Sequence, residues 1–131
     1  MNELQKIISK IYKKIKETIK QNQNKAMVYV NSQMILTYYQ IGTIINQRKT
    51  WCFKYIQNLA NDLKEYGKGY SSRNLEFMSQ LASNISINEF AKQPVSEIPW
   101  GTIIIIMQKS KSHVEMLWCI NETHKLGCYR N

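Results

Sequence analysis

Apolar residues return every three or four positions through the first third of this sequence, and a chain patterned this way covers them only as amphipathic helices. In residues 3–21, Leu4, Ile7, Ile8, Ile11, Ile15 and Ile19 share one stripe, with lysines on the opposite face. In residues 25–48, Met27, Val30, Met34, Tyr38, Ile41 and Ile45 form a second stripe with Val28, Ile35 and Tyr39 beside it, which predicts a central helix. Gly42 lies inside that pattern at a cost of about 1 kcal/mol relative to Ala, so another backbone is expected to pack closely there. Further along, Ser83 to Asn88 reads as a loop, and Pro94 and Pro99 bracket a connection in which Pro99 opens a new helix. The run Ile103–Met107 has the β-branched character of a buried strand, but no second strand is visible to pair with it, so a helix is expected. Val114–Lys125 would turn Val114, Leu117 and Trp118, with Thr123 or Leu126, inward, and Gly127 is its stop. Trp51, Trp100 and Trp118 read as core anchors. The predicted fold is all-α: one compact multi-helix domain over residues 1–131, with roughly five to seven helices.

Two of these helices meet across a Gly-rich turn, the outline of a helix-turn-helix. The first, Lys54–Tyr66, would bury Ile56, Leu59, Ala60 and Leu63; the second, Ser72–Ala82, would bury Leu75, Met78, Leu81 and Ala82. Gly67 and Gly69 accept positive φ in the turn, and Ser71 or Ser72 can cap the second helix. Arg73 and Asn74 then occupy the first turn of that helix, where a recognition helix touches base edges, and Arg suits guanine as Asn suits adenine. The expected nucleic-acid-binding set is Ser72, Arg73, Asn74 and Gln80 toward the groove, with Lys54, Lys64, Lys68 and Tyr70 on phosphates.

Charge points the same way. Eighteen basic against nine acidic residues give a formal charge of +9, which favours a polyanionic partner. An Ile- and Asn-rich composition of the kind an AT-biased genome imposes accounts for part of the lysine content. Lys6, Lys10, Lys13, Lys14, Lys16, Lys20 and Lys25 nevertheless face only Glu3 and Glu17 in the first quarter of the chain. That lysine face is read as solvated, because its apolar side lacks the Trp and Phe of a membrane-surface helix. The three cysteines, Cys52, Cys119 and Cys128, cannot all pair within one chain, and no secretory leader opens the sequence, so a cytoplasmic setting is expected. The longest apolar run, Ile103–Met107, falls far short of the roughly 20 residues that span a bilayer.

Catalytic and metal sites find little support in the residues. Asp62 is the sole aspartate, and Asp62-Leu63-Lys64 sits in an amphipathic helix without the second carboxylate that metal-dependent phosphodiester cleavage needs. His113, Cys119, His124 and Cys128 make a poor zinc set: at 100° per residue Cys119 points about 240° round the helix from His113, and no Cys-x-x-Cys pair is present. No phosphate-binding loop and no nucleophile elbow occurs. No metal, no cofactor and no catalysis is expected of this chain by itself.

Several segments, in order, resemble the N-terminal domain of the YhcG-type bacterial proteins, a helical region that precedes a nuclease domain of the PD-(D/E)xK class. Asn31–Gly42 (NSQMILTYYQIG) is similar to the family's run ending in Ile-Gly, and Gly69–Leu75 (GYSSRNL) to its Phe-Ser-x-Arg-Asn-Leu segment. Phe90–Gly101 (FAKQPVSEIPWG) and Gly127–Asn131 (GCYRN) resemble its Pro-Trp-Gly and Gly-Trp-Ser-Arg segments. The chain departs from the pattern in lacking a tryptophan near Tyr39, in Trp51-Cys52 for Trp-Gly, in Thr102 for a His, and in Cys128-Tyr129 for Trp-Ser. The resemblance implies a DNA-binding or interaction module whose nuclease part would lie beyond Asn131, and with the helix pair, the capped Ser-Arg-Asn turn and the charge the expected function is a double-stranded DNA-binding targeting module. The alternatives are a helical scaffold that forms a homo-oligomer or docks a partner nuclease, and a truncated remnant without selected activity.

Overall fold

In the computed structural model, which describes residues 2–47 and 53–127, six α-helices and three short 3-10 turns account for the regular structure, and no strand occurs among the described residues. The helices are α1 (Glu3–Asn46), α2 (Phe53–Asp62), α3 (Ser72–Asn84), α4 (Ile87–Lys92), α5 (Trp100–Lys109) and α6 (His113–Leu126). Trp51, Cys52 and the closing Cys128-Tyr129-Arg130-Asn131 lie outside the described residues. Helix α1 runs on where two helices were expected. The polar stretch Gln21–Asn24 contains neither Gly nor Pro, so nothing in it breaks the backbone ladder.

The chain divides into two compact units, Met1–Val30 and Asn31–Asn131. In the first, every described residue is exposed, including Leu4, Ile7, Ile11, Ile15 and Ile19 of the apolar stripe.

The second unit holds the core. One cluster joins Ile35 and Tyr39 of α1 to Leu81, Ile85, Val95, Ile98, Ile103, Ile106, Met116 and Ile120. The other joins Tyr38 and Ile45 to Ile56 and Ala60 of α2 and Leu75 and Met78 of α3, with Trp100 packed against both clusters. The buried positions on α1 are therefore Ile35, Tyr38, Tyr39, Gly42 and Ile45, spaced as one helical face. Met27, Val28 and Val30 are exposed, against the expectation for the central stripe. So many residues of this segment are apolar that periodicity alone does not single out a face. Gly42 does: a Cβ there would stand 2.0 Å from the Met78 carbonyl oxygen, so α3 crosses α1 with its backbone against the glycine.

Tyr39 and Asn31 carry polar groups into the packed unit and find partners for them, whereas the buried Ser110 hydroxyl has none among the described residues. The Tyr39 hydroxyl donates to the Ile85 carbonyl at 2.6 Å, closing the end of α3, and its ring stacks on Phe90 at 4.3 Å. Burial, and then the Glu89 carboxylate, push the Tyr39 hydroxyl above its ordinary pKa. Asn31 donates to the carbonyls of Ser96 and Ile98, fixing the segment between Pro94 and Pro99.

Local signals set the remaining elements. Ser86 and Glu89 form a reciprocal capping box that starts α4 inside the stretch expected to be a loop. Ile103–Met107 is helical within α5, and Pro99 stands at the N-cap position, one residue before the first turn where it was expected, without a side-chain cap bond. Ser112 caps α6, and Gly127 ends it in the left-handed conformation at φ 60°. Helix α6 turns Met116 and Ile120 inward, whereas Val114 is 77% and Trp118 63% exposed, so the buried face lies part of a turn away from the expected one and Trp118 is not a core anchor. Leu117 and Trp118 had suggested that stripe; Met116 and Ile120 fit the same period.

Candidate nucleic-acid interface

Between α2 and α3 the chain makes two successive 3-10 turns, Lys64–Tyr66 and Lys68–Tyr70, hinged at Gly67. Gly67 sits at φ 129°, a backbone conformation that side-chain-bearing residues rarely adopt. This connection is longer than the three or four residues of a simple helix-turn-helix. Gly69 has a different role from the expected positive φ. A Cβ at Gly69 would approach the Tyr38 hydroxyl to 2.4 Å, so glycine is needed there for close packing on α1.

The start of α3 is fastened from several sides. Ser71 is the cap, its hydroxyl accepting from the Asn74 backbone N–H at 3.2 Å. The Asn74 side-chain amide donates to the Gly69 carbonyl at 3.2 Å, and its oxygen accepts from the Trp100 indole N–H at 3.4 Å. Both ends of that amide are thereby used, which fixes its orientation and occupies the groups that would pair with adenine. Tyr38 meets Trp100 edge-on at 4.9 Å and Tyr70 edge-on at 6.1 Å, completing an aromatic brace under the turn. Burial, and then Tyr70, raise the Tyr38 hydroxyl above its ordinary pKa, so it stays neutral.

Around that brace the expected contact residues divide. Lys64 and Lys68 are exposed on the two turns, Arg73 is exposed in the first turn of α3, and Lys54 is exposed in the first turn of α2. Gln80 is exposed on α3 and, at 100° per residue, stands within about 20° of Arg73, roughly two turns further on. Tyr70, Ser72 and Asn74 are half-buried. Arg73 lies over the Phe77 ring at 5.5 Å, which steadies the guanidinium stem while leaving its edge to solvent. The first turn of α3 contributes the positive end of the helix dipole, with the Asn74 and Leu75 backbone N–H groups already taken by Ser71. Asp62, Glu65 and Glu76 are also exposed in this region, so its field is only weakly positive and its value lies in placement.

Sequence reasoning did not find Tyr38 and Trp100 as the supports of the turn. A Tyr and a Trp more than sixty residues apart give no signal until α1 and α5 are seen to converge. Nor did it find the apolar groove, of about 530 Å³, lined by Ile41, Ile44, Ile45, Leu59, Leu63, Tyr66 and Tyr70.

The other candidates have structural roles. His113 pairs with Glu89 at 2.6 Å and His124 pairs with Glu97, tying α6 to α4 and to the Pro94–Glu97 turn. Backbone donation from Ser86, followed by His113, holds the Glu89 carboxyl below its usual pKa. Cys119 is a partly buried free thiol against the first core cluster. Asp62 is exposed at the end of α2, and no group of metal-ligating side chains occurs among the described residues. No helix among them is long and apolar enough to cross a membrane.

Three of the segments that carried the family resemblance, Asn31–Gly42, Gly69–Leu75 and Phe90–Gly101, come together here, and Cys128–Asn131 of the fourth lies outside the described residues. Asn31 holds the stretch of chain leading to Pro99, Tyr38 and Trp100 brace the turn, Gly42 admits α3, and Ser71 and Asn74 lock its first turn. The family model of the DUF1016 N-terminal domain matches residues 14–130, most of the chain. No curated protein and no solved structure matches.

Proposed function

Because the chain belongs to the DUF1016 N-terminal domain family, the N-terminal family of the YhcG-type proteins, we propose that it is the double-stranded DNA-binding module that directs a YhcG-type nuclease to its target. It is not catalytic by itself. In this reading the two turns and α3 act as a helix-turn-helix variant, and α3 enters the major groove by its N-terminal end.

The observation that supports it is the fastening of the first turn of α3. Ser71, Asn74, Trp100 and Tyr38 hold that turn from within, while Arg73 stands outward on it between the exposed Lys68 and Gln80. A rigid, capped helix end with an outward Arg is what direct readout requires, since a bidentate contact to guanine discriminates only when the side chain's base is fixed. Arg73 and Gln80 read base edges; Lys54, Lys64 and Lys68 contact phosphates; Ser72 and Tyr70 border the backbone path. Asn74 becomes a positioning residue.

The test is duplex-DNA binding by fluorescence anisotropy across a salt series. Phosphate contacts make log affinity fall linearly with log salt, by about 0.9 per contact. Replacing both Lys64 and Lys68 by Ala is expected to flatten the slope by up to about two contacts. Arg73→Ala is expected to weaken an enriched sequence more than a random duplex. Binding that is indifferent to salt, or to both changes, would defeat the reading.

A further inference from the structure

The apolar stripe of the first unit is unused by any contact or function described above. Leu4, Ile7, Ile8, Ile11, Ile15, Ile19 and Val30 are each 39–65% exposed. Its spacing is regular: positions 4, 8, 11, 15, 19, 22, 26 and 30 advance by steps of four, three and four, the eleven-residue repeat of a right-handed supercoiled seam. All are apolar except Asn22.

We propose that this stripe is the seam of a parallel two-fold dimer, covered by the same stripe of a second copy of the chain. Three observations select that occupant. The first is area. A buried aliphatic side chain removes roughly 60–120 Å² of apolar surface from water, so Leu4, Ile8, Ile11, Tyr12, Ile15, Ile19 and Val30 from two copies supply about 800–1,700 Å². That range overlaps the roughly 1,200–2,000 Å² of a stable protein interface.

The second is Asn22. A lone polar residue in an apolar seam is costly unless it meets a partner. Two parallel, in-register copies set Asn22 against Asn22, amide to amide, and a buried Asn pair of this kind fixes register and oligomer state in heptad coiled coils. Antiparallel copies in full overlap would set it against the apolar layer near Ile11.

The third is charge. Measured round the helix at 100° per residue, Lys6, Lys10, Lys13 and Lys20 lie about 135° or more from the centre of the stripe. The strongly basic face thus stays in water, and the residues nearest the seam on either side, Gln5, Tyr12, Thr18 and Gln23, are uncharged, with Lys14, Lys16 and Lys25 further out. The stripe shares no residue with the first turn of α3, so the inference stands apart from the DNA reading.

Sedimentation equilibrium of the full chain from about 1 to 200 μM tests it. The expected result is a mass rising to twice that of one chain, with I11K/I15K reduced to a monomer over the same range, at least about tenfold weaker in association. Circular dichroism of that variant checks that the second unit still folds. Should the variant unfold, wild-type chains carrying donor and acceptor dyes on their α-amino groups decide the matter, because parallel pairing brings the labels together and gives strong energy transfer. A wild-type monomer at every concentration, including one that collects instead on vesicles of anionic lipid, overturns the proposal. A dimer unaffected by the two lysines, or one without transfer between its amino termini, overturns it as well.

Discussion

Gly42→Ala asks whether α1 and α3 meet backbone to backbone. In an ordinary helix interior the change stabilises by about 1 kcal/mol, because Ala has the better helix propensity. Here the new Cβ would lie 2.0 Å from the Met78 carbonyl oxygen, 2.6 Å from its carbon and 3.1 Å from the Ala82 Cβ. The first two are backbone atoms of α3 and cannot rotate away, so the helix itself has to shift by more than about 1 Å to reach van der Waals distance. Overpacking of that kind costs about 3 kcal/mol at the upper end of its usual range, which leaves a net loss of about 2 kcal/mol. In urea, with a slope of about 2 kcal/mol per molar, the midpoint should fall by about 1 M. Gly101→Ala is the control, because a Cβ at Gly101 meets nothing within 4 Å and the same substitution should be neutral or stabilising. If the Gly42 variant matched or exceeded the wild type in a circular-dichroism denaturation series, the packing argument would be refuted.

Asn74→Ala should cost about 1–3 kcal/mol in thermal or urea unfolding, because the Gly69 carbonyl loses its donor and the Trp100 indole N–H its acceptor. An unchanged stability would mean that the side chain is not tied inward and is available to a base. Tyr39→Phe removes the hydroxyl that donates to the Ile85 carbonyl in the core, and a loss of about 1–2 kcal/mol is expected from equilibrium unfolding, with no loss contradicting the buried pairing. Glu89 has a lowered pKa in the folded chain, so its contribution is present above the unfolded value of about 4.3 and is lost as pH falls through the folded value. Urea midpoints between about pH 6 and 3 should therefore fall more steeply for the wild type than for Glu89→Gln, and parallel curves would count against the capping box.

How much of this was legible in the sequence follows from range. A serine cap at 71 or 72, Gly127 as a stop and the buried positions of α3 depend on residues a few positions apart; the structure chooses Ser71, ends α6 at Gly127 and buries Leu75, Met78 and Leu81, with Ala82 half-buried. The all-helical class followed because no second strand existed to pair with Ile103–Met107. The exposed face of α6 and the true buried face of α1 were misread where several apolar residues stand together, since one residue's shift moves the stripe by 100° and only the neighbouring helix decides. In the candidate site, the outward positions of Arg73, Lys64 and Lys68 were legible from amphipathic spacing. The inward tie of Asn74 was not, because its partners Gly69 and Trp100 are brought together by the packing of α5 and α1.

On the proposed function, the turns before α3 and its first turn form the DNA-binding face. Nitrogen-15 amide spectra of the full chain, titrated with a short duplex, test it most directly, because each perturbed signal names a place on the chain. The account predicts the largest changes at Lys64, Lys68, Ser72, Arg73 and Gln80. Saturating binding with those signals unmoved, and changes confined to Lys6–Lys25, would contradict it.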